Sequence, residues 1–227
     1  QQTGAAVVVG SDRIASGKVL EDEGCDILLS DDGLQHYRLG RDIEIAVVDG
    51  VRGLGNGWRL PVGPLREPAS RLKTVDWVVV NSPAENFALP AANGEALFYV
   101  SMQIKPGELI QLKTGTPISR SELPDDVNAV AGIGNPERFA NTLRELGFVP
   151  QLHAFPDHFV FAADHLDFKN SLPVIMTEKD AVKCRAFARD NWFYLPVSAE
   201  LPDSFWQAFE QKLERAAAHQ KSRFPLR

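Results

Sequence analysis

Four short apolar runs, Ala6–Val9, Ile27–Leu29, Ile43–Val48 and Trp77–Val80, are separated by stretches of helix or loop length. A run that is apolar on both faces must be covered on both. The backbone arrangement that achieves this is a mostly parallel sheet with helices packed against each side. From Leu97 to Ile118 the texture changes, and two strand-like segments flank Pro106-Gly107, which predicts a hairpin between two lobes. Alternation then resumes. Asn128–Ala131 reads as a strand, Gly132–Pro136 as a loop opening a helix from Glu137 to Leu146, and Gly147 as that helix's stop. Val174–Met176, a helix over Ala181–Arg189 and Trp192–Val197 repeat the strand–helix–strand pattern. Asp203–Ala218 is helical by the spacing of Phe205, Phe209, Leu213 and Ala217. The expected division is an α/β lobe over 1–96, a hairpin linker over 97–118 and a second α/β lobe over 119–227, with no internal repeat and no low-complexity segment.

Composition excludes several functions. A chain of 227 residues that is 44% hydrophobic can bury a real core, so disorder is not expected. The formal charge of −6 repels nucleic acid, and any anion site must be built locally. Cys25 and Cys184 stand far apart, outside any C-x-x-C spacing, which suits a reducing compartment and excludes a disulfide framework or cysteine zinc site. The apolar runs are strand-sized, far below the ~18 residues of a spanning helix. The first residues have neither a basic start nor a signal-peptide core and lead straight into a strand-like run, so the chain reads as cut from a longer one.

The strongest chemical signal is LLSDDGLQHYR, which places the paired acids Asp31 and Asp32 after an apolar run. Ligands of open α/β sheets gather at the carboxyl ends of strands. An acid there can hold Mg2+ while the cation neutralises phosphate oxygens; capping a turn is the alternative use. Gly33 permits close backbone approach, and Gln35 and His36 add polar groups. No G-x-x-x-x-G-K-[ST] loop occurs; in GSDRIASGKV the glycines are too far apart, and Lys18 precedes Val19 rather than a hydroxyl, so that stretch reads as a turn. Between Val51 and Lys73 lie Arg52, Arg59, Arg66, Arg71 and Lys73 against the single acid Glu67, interleaved with Leu54, Trp58, Leu60 and Leu65. Cations mixed with large apolar groups suit a phosphorylated amphiphile at an interface, or else arginines paired elsewhere around a core Trp58. HAFPDHFVFAADHL supplies His153, His158 and His165, whose spacings of five and seven are wrong for a helical metal site. A single histidine here could support proton transfer from a hydroxyl, or be structural. In MTEKDAVKC, Thr177 or Asp180 caps a helix and Lys179 is a candidate phosphate or carboxylate partner.

In order, DDGLQHYRLGRDIEIAVVDG, GNGWRLPVGPLREPASRL, VVVN, AGIGNPERFANTLRELG, FPDHFVF and MTEKDAVKC resemble the tetraacyldisaccharide 4'-kinase family over essentially the whole chain. The resemblance implies a P-loop NTPase-like three-layer α/β/α fold. Its two lobes would be joined by a two-stranded linker, the first being a kinase core lobe without its phosphate loop. The implied reaction is ATP-dependent phosphorylation of the 4'-hydroxyl of a lipid A disaccharide 1-phosphate (tetraacyldisaccharide 1-phosphate), with Mg2+, at the cytoplasmic face of the bacterial inner membrane as a peripheral protein. By the same resemblance Asp31 and Asp32 match the family's Walker-B-like acids at Mg2+ and nucleotide. Gln35 and Asn81 stand at matching motif positions near the nucleotide, and Arg52, Arg59, Arg66 and Glu67 lie near the glycolipid. His158 matches the histidine that the family pairs with an upstream aspartate to activate the hydroxyl. The phosphate loop and that aspartate belong before Gln1, so the chain by itself is expected to turn over no lipid. Two rival readings stand beside this one. A non-catalytic glycolipid- or nucleotide-binding module predicts binding without ATP dependence, and an NAD-type enzyme lacks the G-x-G-x-x-G it needs.

Overall fold

The computed structural model describes residues 3–83, 87–90 and 96–223. In chain order the elements are α1 (Arg13–Asp22), β1 (Ile45–Asp49), β2 (Trp77–Asn81), β3 (Leu89–Pro90), β4 (Ala96–Leu97), β5 (Val100–Pro106), β6 (Leu109–Gln111), β7 (Pro117–Ile118) and β8 (Asp126–Ala131). They continue through α2 (Pro136–Glu145), β9 (Val149–Ala154), β10 (Val174–Thr177), α3 (Glu178–Cys184), β11 (Trp192–Leu195), β12 (Val197–Glu200) and α4 (Asp203–Arg223). Two compact units result, Gln1–Met102 with Leu201–Arg227, and Gln103–Glu200. Each contributes to an α/β architecture with mixed sheets.

This division departs from the expected one at two points. Pro106-Gly107 closes no hairpin between β5 and β6. β5 runs parallel to β2 from Val100 to Met102 and antiparallel to β12 from Gln103 to Pro106, whereas β6 pairs with β7 and β11. A turn dipeptide fixes where the chain bends but not which strand receives it. The paired strands through which the chain leaves the first unit and returns to it are therefore β5 and β12. The second departure is α4, which belongs to the first unit, with Phe205 meeting Trp77 edge-on at 5.5 Å, Phe209 meeting it tilted at 6.0 Å, and Lys212 paired with Asp76. Its helical spacing was readable, but the surface that receives it was not.

In the first unit β1 and β2 run parallel, in a register that sets Ile45 opposite Trp77 and Asp49 opposite Asn81. Val78, Val79 and Val80 are buried on both faces, as a central strand requires, while β1 buries Ala46 and Val48 and leaves Val47 exposed. Ala6–Val9 and Ile27–Leu29 form no strands; both lie outside regular structure, unpaired and largely exposed among the described residues. Their apolar content is strand-like, but a strand exists only as part of a ladder, and neither segment reaches one. The stretch read as a turn around Gly10–Lys18 is instead α1. It is started by Asp12, whose Oδ1 accepts from the amides of Ile14 and Ala15 at 3.0 and 3.1 Å.

The first unit's loops can meet closely because residue 50 has no side chain. A Cβ on Gly50 would lie 2.6 Å from both the Asn81 carbonyl oxygen and the Pro83 Cα, contacts with backbone that cannot swing away. Gly50→Ala is therefore expected to cost about 2 kcal/mol, the overpacking range, measured by urea unfolding. A change below a few tenths would mean that the two loops part easily.

The second unit holds a six-stranded sheet in the order β7-β6-β11-β10-β8-β9, parallel from β11 to β9 and antiparallel at β6 and β7. Alternation along β8 sends Val127, Ala129 and Ala131 to one face, where Phe139 and Leu143 of α2 join them. Val130 goes to the other, with Ala181 and Cys184 of α3. A helix thus covers each face. Asn135 caps α2 and Pro136 starts it, while Thr177 caps α3.

Candidate functional site

At the carboxyl edge of β1 and β2, Asp49 and Asn81 lie side by side. The Asp49 Oδ1 accepts from the amides of Val51 and Arg52, both at 2.9 Å, which turns the chain away from the strand. The next residue after β2, Ser82, has φ +50°, and its hydroxyl donates to the Asn81 Oδ1 at 3.1 Å. Apolar residues followed by Asp-Gly occur here as IAVVDG, and this is where a true strand-end acid stands. The similar signal at LLSDDG marks an exposed loop instead.

That loop is nonetheless well specified. Asp32 sits at φ +49°, and its carboxylate accepts from the Arg66 guanidinium at 2.9 Å. Gln35 lies between the charges, with its Nε2 donating to the Glu67 Oε1 at 2.7 Å and its Oε1 3.4 Å from Arg66. The other Glu67 oxygen accepts from the Tyr37 hydroxyl at 2.5 Å and lies 3.4 Å from the Arg71 Nε. Arg71 passes the chain of charges to Glu44 at 2.6 Å, and Glu44 to Arg41 at 3.1 Å. Arg41 closes the circuit on the carbonyls of Gly33 and Leu34 at 2.9 and 3.0 Å. Four residues singled out from the sequence, Asp32, Gln35, Arg66 and Glu67, are therefore bonded together. Within that network Glu67 faces inward as a staple and Arg66 faces outward. Tyr37, Arg41 and Glu44 were missed, and Arg71 was counted only among the loop's cations, because nothing in their spacing announces a network between loops ~30 residues apart. Among the described residues no donor reaches the Asp31 carboxylate, while its carbonyl takes Arg13 at 3.3 Å.

The Tyr37 hydroxyl, then the Gln35 amide, holds the Glu67 carboxyl below its ordinary 4.5, and the same Tyr37–Glu67 bond raises the tyrosine above 10.0. A depressed carboxyl contributes stability that is full above 4.5 and lost as pH falls through the lower folded value. The raised phenol contributes stability that is full below 10.0 and lost as pH climbs through the higher folded value. Glu67→Gln should accordingly flatten the acid limb of a stability–pH curve below pH 4.5, and Tyr37→Phe the alkaline limb above 10.0. Superimposable curves for variant and parent would show that the network contributes nothing.

The loop from Val51 to Leu65 is held by its own backbone. Leu60 N–H donates to Leu65 O at 2.9 Å, Leu65 N–H to Trp58 O at 3.2 Å, and the Asn56 side chain bonds Trp58 N–H and Val62 O at 3.1 and 3.0 Å. From this frame Trp58, Leu60 and Val62 project with 65%, 65% and 69% of their surface exposed, so Trp58 is not a core residue. Arg52 and Arg59 are exposed on the same loop, and among the described residues no carboxylate pairs with Arg59. The result is an ordered surface of large apolar groups beside cations.

The second unit sorts the three histidines. His153 is partly buried, stacked on Phe168 at 3.8 Å and bonded through Nε2 to the Asn128 Oδ1 at 2.9 Å, and burial lowers its pKa. His165 accepts the Ala162 N–H at 3.0 Å through Nδ1. Both are structural. His158 is 82% exposed at φ +61°, the third residue of a turn closed by Phe159 N–H to Pro156 O at 3.1 Å. Asp157 accepts from the His158 N–H at 3.0 Å and from the Lys179 Nζ at 2.7 Å, so the carboxylate partner allowed for Lys179 is Asp157. Among the described residues no group of three or more His, Cys, Asp or Glu forms a metal cage, and no helix is long and apolar enough to cross a membrane.

Comparison with known proteins gives the family. Residues 1–214 match the family model described as tetraacyldisaccharide-1-P 4'-kinase. A tetraacyldisaccharide 4'-kinase of Nitrosococcus oceani is 50% identical over 222 residues, covering 96% of this chain and 62% of that protein. Its namesake from Pseudomonas fluorescens is 48% identical over 218 residues, covering 95% and 62%, and that of Legionella pneumophila strain Lens is 50% identical over 191 residues, covering 84% and 55%. The chain thus spans at most about three fifths of the length of these curated relatives. Among solved structures, the "apo" form of LpxK from Aquifex aeolicus in complex with ATP has a TM-score of 0.62 at 23% identity, covering 88% of this chain and 61% of that one. At that identity it speaks for the fold.

Proposed function

Because the chain belongs to the tetraacyldisaccharide 4'-kinase family, we propose that the protein carrying it transfers the γ-phosphoryl group of ATP to the 4'-hydroxyl of tetraacyldisaccharide 1-phosphate. The observation that carries the reading is where the backbone is strained. Among the described residues the non-glycine positions at positive φ are Asp32, Ser82 and His158. Two of these are candidate site residues and the third adjoins Asn81. Strain of this kind persists where surrounding structure over-determines it, commonly at sites of chemistry.

In this reading the first unit is the nucleotide-holding lobe of a P-loop NTPase-like core. Asp31 and Asp32 would hold Mg2+, with Gln35 and Asn81 beside the nucleotide. The donor set fits such an ion in part, because Mg2+ needs only one or two carboxylates beside phosphate oxygens, and the Asp31 carboxylate is open while Asp32 is engaged by Arg66. When bound, the cation neutralises charge on the transferring phosphoryl group. Arg66 stands ready for an anion once it exchanges Asp32. The loop bearing Arg52, Trp58, Arg59, Leu60 and Val62 would receive the phosphorylated glycolipid at an inner-membrane surface, cations towards phosphate and apolar groups towards acyl chains. His158 would support proton transfer from the attacking hydroxyl, together with the upstream aspartate that the family resemblance implies.

The test is a kinase assay on the complete protein that carries this chain, with the position of the new phosphate read by mass spectrometry. Asp32→Asn should weaken nucleotide use about tenfold, about 1.4 kcal/mol, without abolishing glycolipid binding. A protein that binds glycolipid equally with and without ATP and forms no 4'-phosphate would instead be the binding module.

A further inference from the structure

We propose that Lys179 and Asp157 are positioning residues for His158, and that Lys179 decides which way the Asp157 carboxylate faces. The proposal rests on the reading of His158 as a group that supports proton transfer from the hydroxyl. Pro156, Asp157, His158 and Phe159 form one turn, and the third place in such a turn at positive φ is one that glycine or asparagine fills more readily than histidine. Something must hold His158 there. Two kinds of contact do so.

The flanks of the turn are fixed by aromatic packing. Phe155 and Phe159 lie 4.9 Å apart, and each meets Phe161 at 5.0 and 5.1 Å. Its tip is fixed by charge. The Asp157 Oδ1 binds both the His158 N–H and the Lys179 ammonium, which leaves Oδ2 3.7 Å from the His158 Nε2. If the ammonium were absent, the carboxylate could turn onto the imidazole and engage the nitrogen that must stay open to a hydroxyl. The Lys179 hydrogen bond is also the main cause of that carboxyl's lowered pKa.

Lys179 itself starts from a fixed base. It sits in the first turn of α3 beside Asp180, a fully buried carboxylate. The Asp180 Oδ2 accepts from the Gly132 N–H and the Thr177 hydroxyl, both at 2.7 Å, and its Oδ1 from Lys183 at 2.9 Å. Gly132 is in turn against the PDH turn, since a Cβ there would lie 3.4 Å from the Pro156 carbonyl oxygen. The start of α3, the loop after β8 and the turn bearing His158 are thereby locked together. Lys179 and Asp157 are 45% and 46% exposed at their side chains, so neither is needed to fill the core.

The test uses the complete protein with ATP and the glycolipid. Lys179→Met should lower kcat about tenfold with KM within about twofold, and Lys179→Arg, which also donates to Asp157, should restore most of it. Asp157→Ala should lose at least as much as Lys179→Met. In a His158→Ala background Lys179→Met should cause no further loss, because it acts through the missing ring. An unchanged kcat in Lys179→Met, or an equal loss with and without His158, overturns the positioning role. If His158→Ala itself keeps its kcat, the proton-transfer reading falls instead, and the two failures are thereby told apart.

Discussion

His158→Ala is expected to lower kcat of the complete protein by about a hundredfold to ten-thousandfold, the range that general-base removal produces. The structure makes this more than a motif argument, because the same residue can be changed without harming the fold. His158 is exposed and pinned at positive φ, so glycine there removes a strain of about 1 kcal/mol while adding chain entropy of about 0.4–1 kcal/mol to the unfolded state. These nearly cancel, and the Tm of His158→Gly should move by no more than about 2–4 °C. Activity lost with Tm kept would separate chemistry from folding. Activity kept within threefold would remove His158 from the mechanism, and a large fall in Tm would make it a structural histidine like His153 and His165.

Asp180→Ala is expected to destabilise the chain by about 3 kcal/mol in urea unfolding, the low end of the cost of breaking a buried charged pair. The low end applies because Lys183 is 26% exposed and can turn to water, whereas the Gly132 N–H and Thr177 hydroxyl lose their acceptor inside the protein. Asp180→Asn keeps an acceptor for one of these and should cost about 1–2 kcal/mol. Amide exchange at Gly132 should quicken in both variants. A loss under about 1 kcal/mol for alanine would mean that water enters and substitutes, and that the loop after β8 is not held by this carboxylate.

Much of the second unit was legible because its signals are local. Asn135-Pro136 and Thr177 start helices by bonds made within one turn, and β8, β10 and β11 declare themselves by short, largely apolar runs. The first unit was harder. Ile27–Leu29 and Ile45–Val48 look alike as sequences, yet only the second finds a ladder partner, in β2. The linker was misplaced for the same reason, since Val197–Glu200 pairs with β5 across some ninety residues and no local pattern records that. In the site, Arg66 and Glu67 are neighbours in sequence but point to different tasks, one outward to Asp32 and the other inward to Gln35 and Tyr37. Among the histidines, the distinction turns on what each ring touches, Phe168 and Asn128 for His153 and the Ala162 N–H for His165, which the sequence contexts do not encode.

The backbone at Asp32, Ser82 and His158 also bears on protein engineering. A design procedure rewarded only for thermal robustness would choose glycine or asparagine at those places, since both relax the left-handed turn, and would favour an apolar pair over the ion pair at Lys179. Such a molecule could melt later and express better. On the proposed reading it would have erased its chemistry first, at two of the positions where the natural chain accepts discomfort.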